Sequence, residues 1–156
     1  MNTAQHGFLA ALAPAHRDRL LGYAREVAVP GGARIFEEDG YADRFWIIRS
    51  GHVALDIHVP GRRAAVVETL GQGDLLGWSW LFEPYRWHLG AQTRGPLAAS
   101  EFDAARVRTA CREDPAFGLA VTHEVAAVVA RRLKATRTRL LDLYGSAGAA
   151  ETGRAP

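Results

Sequence analysis

The chain has 156 residues, 48% of them apolar and 23% charged, which suits one domain with its own core. A net charge of +2 is too small to argue for a nucleic-acid surface, and the single cysteine, Cys111, excludes an intrachain disulfide or a Cys-rich zinc site. No apolar run reaches the ~18 residues of a membrane span, and Met1 to His6 lacks the basic, apolar character of a secretion signal, so a cytoplasmic protein is expected.

Residues 7 to 25 read as helical, with Phe8, Leu9, Leu12, Leu20 and Leu21 spaced for one apolar face. Pro14 interrupts the pattern and can open a second helix at Ala15. From Val27 the period changes to that of strands. Pro30-Gly31-Gly32 turns the chain, Arg34-Ile35-Phe36 is a short strand, and Glu37-Glu38-Asp39-Gly40 turns it again. Phe45 to Ile48 is an apolar, β-favouring run, and His52 to Val59 alternates with period two. Pro60-Gly61 makes a hairpin turn, and Ala65 to Leu70 returns as the next strand. After a glycine-rich stretch, Gly90 to Thr93 and Pro96 to Ser100 continue the series. Short strands between turns every eight to twelve residues predict an antiparallel β-roll or jelly roll with flanking helices.

Asp103 caps a short helix over Ala104 to Glu113, and Asp114-Pro115 starts a longer one. That helix is expected to run to about Tyr144 and to end at Gly145, with a disordered tail over 145–156. Leu119, Ala126, Leu133 and Leu140 fall seven apart, and so do Thr122, Val129, Thr136 and Leu143. This is a coiled-coil seam carrying two threonines, so a homodimer is expected through Leu119, Ala126, Val129, Leu133, Thr136, Leu140 and Leu143. The alternative is a helix packed only on its own domain.

The densest chemistry lies between residues 71 and 93. Three of the four tryptophans, Trp78, Trp80 and Trp87, stand within ten residues of one another, beside Arg86 and after Gly71, Gly73 and Gly77. Glycines let a backbone approach a ligand, and a guanidinium suits phosphate or carboxylate. Gly77, Trp78, Ser79, Arg86, Trp87 and His88 are therefore the candidate ligand-binding residues. The backbone N–H groups of Gly77, Trp78 and Ser79 could cradle an anion. Against this stands an ordinary aromatic core, with Trp78 and Trp87 filling the space.

The order of helices, strands, glycine-rich cassette and long helix resembles the cyclic-nucleotide-binding domain, in particular the sensor half of the catabolite-activator/Fnr (Crp/Fnr) type of bacterial regulator. The resemblance covers roughly residues 8 to 144. It rests on the stretches 30–36 and 42–55, on Gly71-Gln72-Gly73-Asp74-Leu75-Leu76-Gly77, and on Ala130-Arg131-Arg132-Leu133-Lys134-Ala135-Thr136. It implies a non-catalytic regulatory domain, a cyclic nucleotide as ligand, and base contact at Thr136 from the dimer helix. Two departures stand out. Trp78 occupies the place of the family's ribose-binding glutamate, and Arg86 lies about one position out of register with the phosphate-pairing arginine. Only about a dozen residues follow Tyr144, too few for a helix-turn-helix domain, so a stand-alone domain without direct DNA binding is expected.

Other chemistries find less support. Some relatives of the resembled fold bind haem, for which His88, Cys111 and His123 would be the ligands; none stands in a motif. His52 and His58 lack a carboxylate to complete a metal set. No nucleophile elbow, phosphate-binding Walker loop or zinc-protease helix is present, so no enzyme is expected. The sequence therefore predicts a regulatory sensor for a small anionic or flat ligand that signals through a dimer helix. The alternative is a ligand-free dimeric interaction module whose pocket is plugged by tryptophans, working with a partner protein.

Overall fold

A computed structural model of the chain describes residues 7–151, with side chains described as far as residue 148. Two short helices come first, α1 (Phe8–Ala11) and α2 (Pro14–Leu21). Pro14 itself is the first residue of α2, and its fixed φ suits that place. The helical expectation to residue 25 is too long. β1 (Ala24–Val29) already begins at Ala24, because it pairs with a later strand continuously from Ala24↔Phe102 to Val29↔Leu97. A full ladder of backbone hydrogen bonds outweighs the helix preference of Ala24 and Arg25, since intrinsic propensity yields to tertiary context.

The remaining strands are β2 (Arg34–Phe36), β3 (Arg44–Ser50), β4 (Val53–Ile57), β5 (Ala65–Leu70), β6 (Leu75–Leu76), β7 (Gly90–Thr93) and β8 (Leu97–Asp103). They form two four-stranded antiparallel sheets in the orders β1-β8-β3-β6 and β2-β7-β4-β5. The antiparallel fold with flanking helices is thus the one expected from the sequence. Register sets Phe45 opposite Phe102, and their rings stack at 4.7 Å. Trp80 stacks on the other face of this pair, 4.0 Å from Phe45, and all three are fully buried.

One charged clip joins strands of the second sheet. Arg34 binds the buried Asp56 through two hydrogen bonds, of 2.5 and 3.1 Å, and Glu37 through two more, of 2.8 and 2.9 Å. Gly90 makes room for it: a Cβ there would lie 2.2 Å from the Arg34 guanidinium. Glu37 first, then Asp56, raise the pKa of Arg34.

The Asp103 carboxylate accepts the Arg106 N–H at 3.1 Å and so caps α3 (Ala104–Glu113). Asp114 does the same for Phe117, at 3.3 Å, at the start of α4 (Pro115–Glu151). With 37 residues, α4 is about 55 Å long. Phe117, Val121, Val125 and Val128 make its buried face. The helix does not stop at Gly145, as the glycine suggested, and 145–151 is not a disordered tail. Ser146 and four small residues follow Gly145, alanine is the best helix former, and the Ser146 hydroxyl donates back to the Asp142 carbonyl at 2.9 Å. The rest of the expected tail, 152–156, lies outside the described residues. Among the described residues, no helix is long and apolar enough to cross a membrane.

Candidate ligand cavity

The glycine-rich stretch opens with a turn in which the Asp74 carboxylate accepts the Gly71 N–H at 2.8 Å. β6 follows and pairs Leu76 with Trp46. Gly77 then takes φ +93°, in the left-handed region. A short 3-10 turn, Ser79–Leu81, drops Trp80 into the core. The indole Nε1 of Trp80 is the one buried side-chain polar atom among the described residues without a hydrogen-bond partner.

Beyond Pro84, the backbone is stitched to the turn near residue 40. Ala42 N–H donates to the Tyr85 carbonyl at 2.7 Å, and Trp87 N–H donates to the Gly40 carbonyl at 3.0 Å. Arg86 pairs with Tyr41 as an isolated bridge. Extended backbone sends successive side chains to opposite sides. Arg86 therefore faces out, where its guanidinium lies 5.8 Å from the Tyr41 ring centre and donates to the Asp39 carbonyl at 3.2 Å. Trp87 faces in. It is 4% exposed and stacks on Phe36 with ring centres 3.9 Å apart. A Cβ on Gly77 would meet the Trp87 ring at 2.7 Å, so the glycine serves this packing as well as the turn.

What remains is a cavity of about 60 Å³. Its walls are Gly77, Trp78, Ser79, Trp87 and His88, with Phe36, Leu55, Leu89 and Arg132. Pockets for small ligands run to about 300–1,000 Å³, so this one is several times too small as it stands. Trp78 sits half-buried at the wall, its ring 5.0 Å from His88 and 6.0 Å from Phe82.

Five of the seven candidate residues thus come together: Gly77, Trp78, Ser79, Trp87 and His88. Arg86 does not join them, for the alternation just described. Neither does Thr136, which is exposed and donates its hydroxyl to the Arg132 carbonyl of its own helix at 2.8 Å. The cation that does reach the cavity is Arg132, one turn earlier on α4. Its side chain is 16% exposed, donates to the Leu75 carbonyl, and lies 3.8 Å from the Glu68 carboxylate. Burial lowers its pKa, and Glu68 works in the opposite direction. The sequence places Arg132 in the family-like helix and, with Arg131, Arg137 and Arg139, on a solvated face; for Arg132 the structure corrects this, because its side chain is tucked against the Leu75 carbonyl and Glu68. Its signal was its place four residues before Thr136, one turn away on the same face.

The haem candidates fall on separate elements: His88 on the cavity wall, Cys111 on α3 and His123 on α4. Burial raises the pKa of the Cys111 thiol, which disfavours the thiolate a metal needs. Among the described residues, no three His, Cys, Asp or Glu side chains gather to hold a metal ion.

Residues 26–114 match the cyclic nucleotide-binding domain, and the chain belongs to that family. It is similar to the CRP-like cAMP-activated global transcriptional regulator of Mycobacterium tuberculosis (strain CDC 1551 / Oshkosh). The two are 27% identical over 140 residues, which is 90% of this chain and 61% of that regulator. The fold is also similar to that of the catabolite activator protein of Thermus thermophilus, at TM-score 0.71 and 25% identity over 88% of this chain and 62% of that one. A cyclic nucleotide-binding domain from Methylobacillus flagellatus KT superposes at TM-score 0.78 with 14% identity, over 86% and 79% of the two chains. The last likeness concerns the fold alone. The chain spans about three fifths of the length of the curated relatives it matches.

Proposed function

We propose that this chain is a non-catalytic, cytoplasmic regulatory domain of the cyclic-nucleotide-binding type in which protein side chains occupy the nucleotide's place. It works through dimerisation on α4 and contact with a partner protein, without responding to cyclic AMP or cyclic GMP. The observation that carries this reading is the stack of Trp87 on Phe36 over Gly77, which leaves only about 60 Å³. Trp78 adds to it, because an indole has no acceptor for a ribose hydroxyl. The exposed leucines of α4, among them Leu119 (72%), Leu140 (53%) and Leu143 (66%), support the dimer.

A calorimetric titration with cyclic AMP and cyclic GMP tests the proposal, with tryptophan fluorescence read in parallel. No heat and no spectral change are expected. Saturable micromolar binding of either nucleotide would overturn it.

One observation favours a second reading, a sensor for a small anion. Arg132 lines the cavity, and its nearest carboxylate stands off at 3.8 Å. Under that reading, inorganic phosphate would bind and Arg132→Gln would abolish the binding.

A further inference from the structure

A larger cavity lies elsewhere. It is open, measures about 490 Å³, and shares no lining residue with the tryptophan-filled one. That volume is within the range of small-ligand sites. Its floor is the face of the first sheet, where Glu26, Ser100 and Ile47 stand side by side on β1, β8 and β3. Leu9 of α1 and Leu21 of α2 add an apolar wall, and Leu21 is 39% exposed although α2 packs its neighbour Leu20 completely.

The polar end is specific. Arg49 stands where the pairing of β3 with β8 shifts register, and such irregularities re-aim a side chain. It donates to Glu26 Oε2 at 2.5 Å, while the Ser100 hydroxyl donates to Glu26 Oε1 at 2.9 Å. The hydrogen bond from Arg49 is the main cause that holds Glu26 below the usual carboxylate range. The pair is half open to solvent, with side chains 60% and 55% exposed. Each partner keeps spare capacity: a guanidinium has five N–H donors and a carboxylate about four acceptor sites.

We propose that this cavity binds a zwitterionic α-amino acid with an apolar side chain. The ammonium group meets Glu26, the carboxylate meets Arg49, and the side chain lies along Leu9, Leu21 and Ile47. The charges select this class. A simple carboxylate at Arg49 would sit beside the Glu26 carboxylate, and a simple amine at Glu26 would sit beside the guanidinium. A ligand carrying both charges sets an opposite charge against each partner at once, so every like-charge contact is offset by an opposite one, which a singly charged ligand cannot do.

The test is calorimetric titration of the full chain with L-leucine, beside L-leucinamide and 4-methylpentanoate, which each carry one charge. Leucine is expected to bind saturably at one site per chain, and each analogue at least about tenfold more weakly. Glu26→Gln and Arg49→Gln are each expected to weaken leucine binding by a similar factor, with folding checked by circular dichroism. Absence of both heat and methyl-resonance shifts on adding leucine to the unmodified chain would overturn the proposal. So would equal binding of either analogue, or leucine binding undiminished in both folded variants.

Discussion

Trp87 carries the functional reading at the scale of single residues. It is buried against Phe36 and closes over Gly77. Trp87→Ala is expected to cost about 3–5 kcal/mol in urea unfolding, the usual range for removing a large buried aromatic. Glu101 offers a second test. Burial opposes its ionisation, yet hydrogen bonds from Trp46 Nε1 at 3.0 Å and Arg25 at 2.5 Å bring its pKa below the usual range. A carboxylate with a depressed folded-state pKa stabilises the fold above its unfolded value of about 4.3. That stabilisation is lost as pH falls through the folded value. Glu101→Gln should therefore lower Tm near neutral pH and flatten the fall of Tm between about pH 5 and pH 3. An unchanged acid limb in thermal melts would contradict this assignment.

Individual elements explain why Arg86 and Thr136 do not line this cavity. The sequence marks both by position along a motif. The segment before β7 is extended and tied to the turn at Gly40, so adjacent side chains alternate and Trp87 takes the inside. On α4, the face that meets the sheets carries Val125, Val128 and Arg132, while Thr136 lies beyond the last buried turn. The same helix also shows how context overrides a stop signal. A Cβ on Gly145 would meet nothing within 4 Å, and the helix passes straight through. Gly145→Ala is then expected to stabilise α4 by about 1 kcal/mol, raising helicity by circular dichroism. Were Gly145 a helix stop in the left-handed conformation, the same change would destabilise instead.

The whole molecule consists of two antiparallel sheets closed around an aromatic core, with α4 reaching well past them. Beyond Val128, none of the α4 side chains described is fully buried, while Leu133, Leu140 and Leu143 are 49%, 53% and 66% exposed. Monomeric proteins seldom leave such a stripe in water. Leu133→Asp is expected to convert a dimer to a monomer in analytical ultracentrifugation, with the sheets still folded by near-UV circular dichroism. A dimer that survives this change would remove α4 from the proposed mechanism.

Much of this was legible in the sequence because it depends on local chemistry. Period-two runs and turn residues marked the strands, Asp103 and Asp114 announced their helices, and the order of motifs pointed to the cyclic-nucleotide-binding family. The cassette residues that line the cavity were legible too, since a glycine-rich turn holds its neighbours close by. Tertiary structure alone decided which side each residue faced and how much space was left. Whether Trp87 lines a cavity or fills it depends on Phe36, about fifty residues earlier in the chain, and on the turn at Gly40 that sets its direction. The Glu26–Arg49 pair was silent, and Arg132 was marked only by its place one turn before Thr136, for the same reason: their partners are contributed by distant strands, and only the folding of the two sheets brings them together.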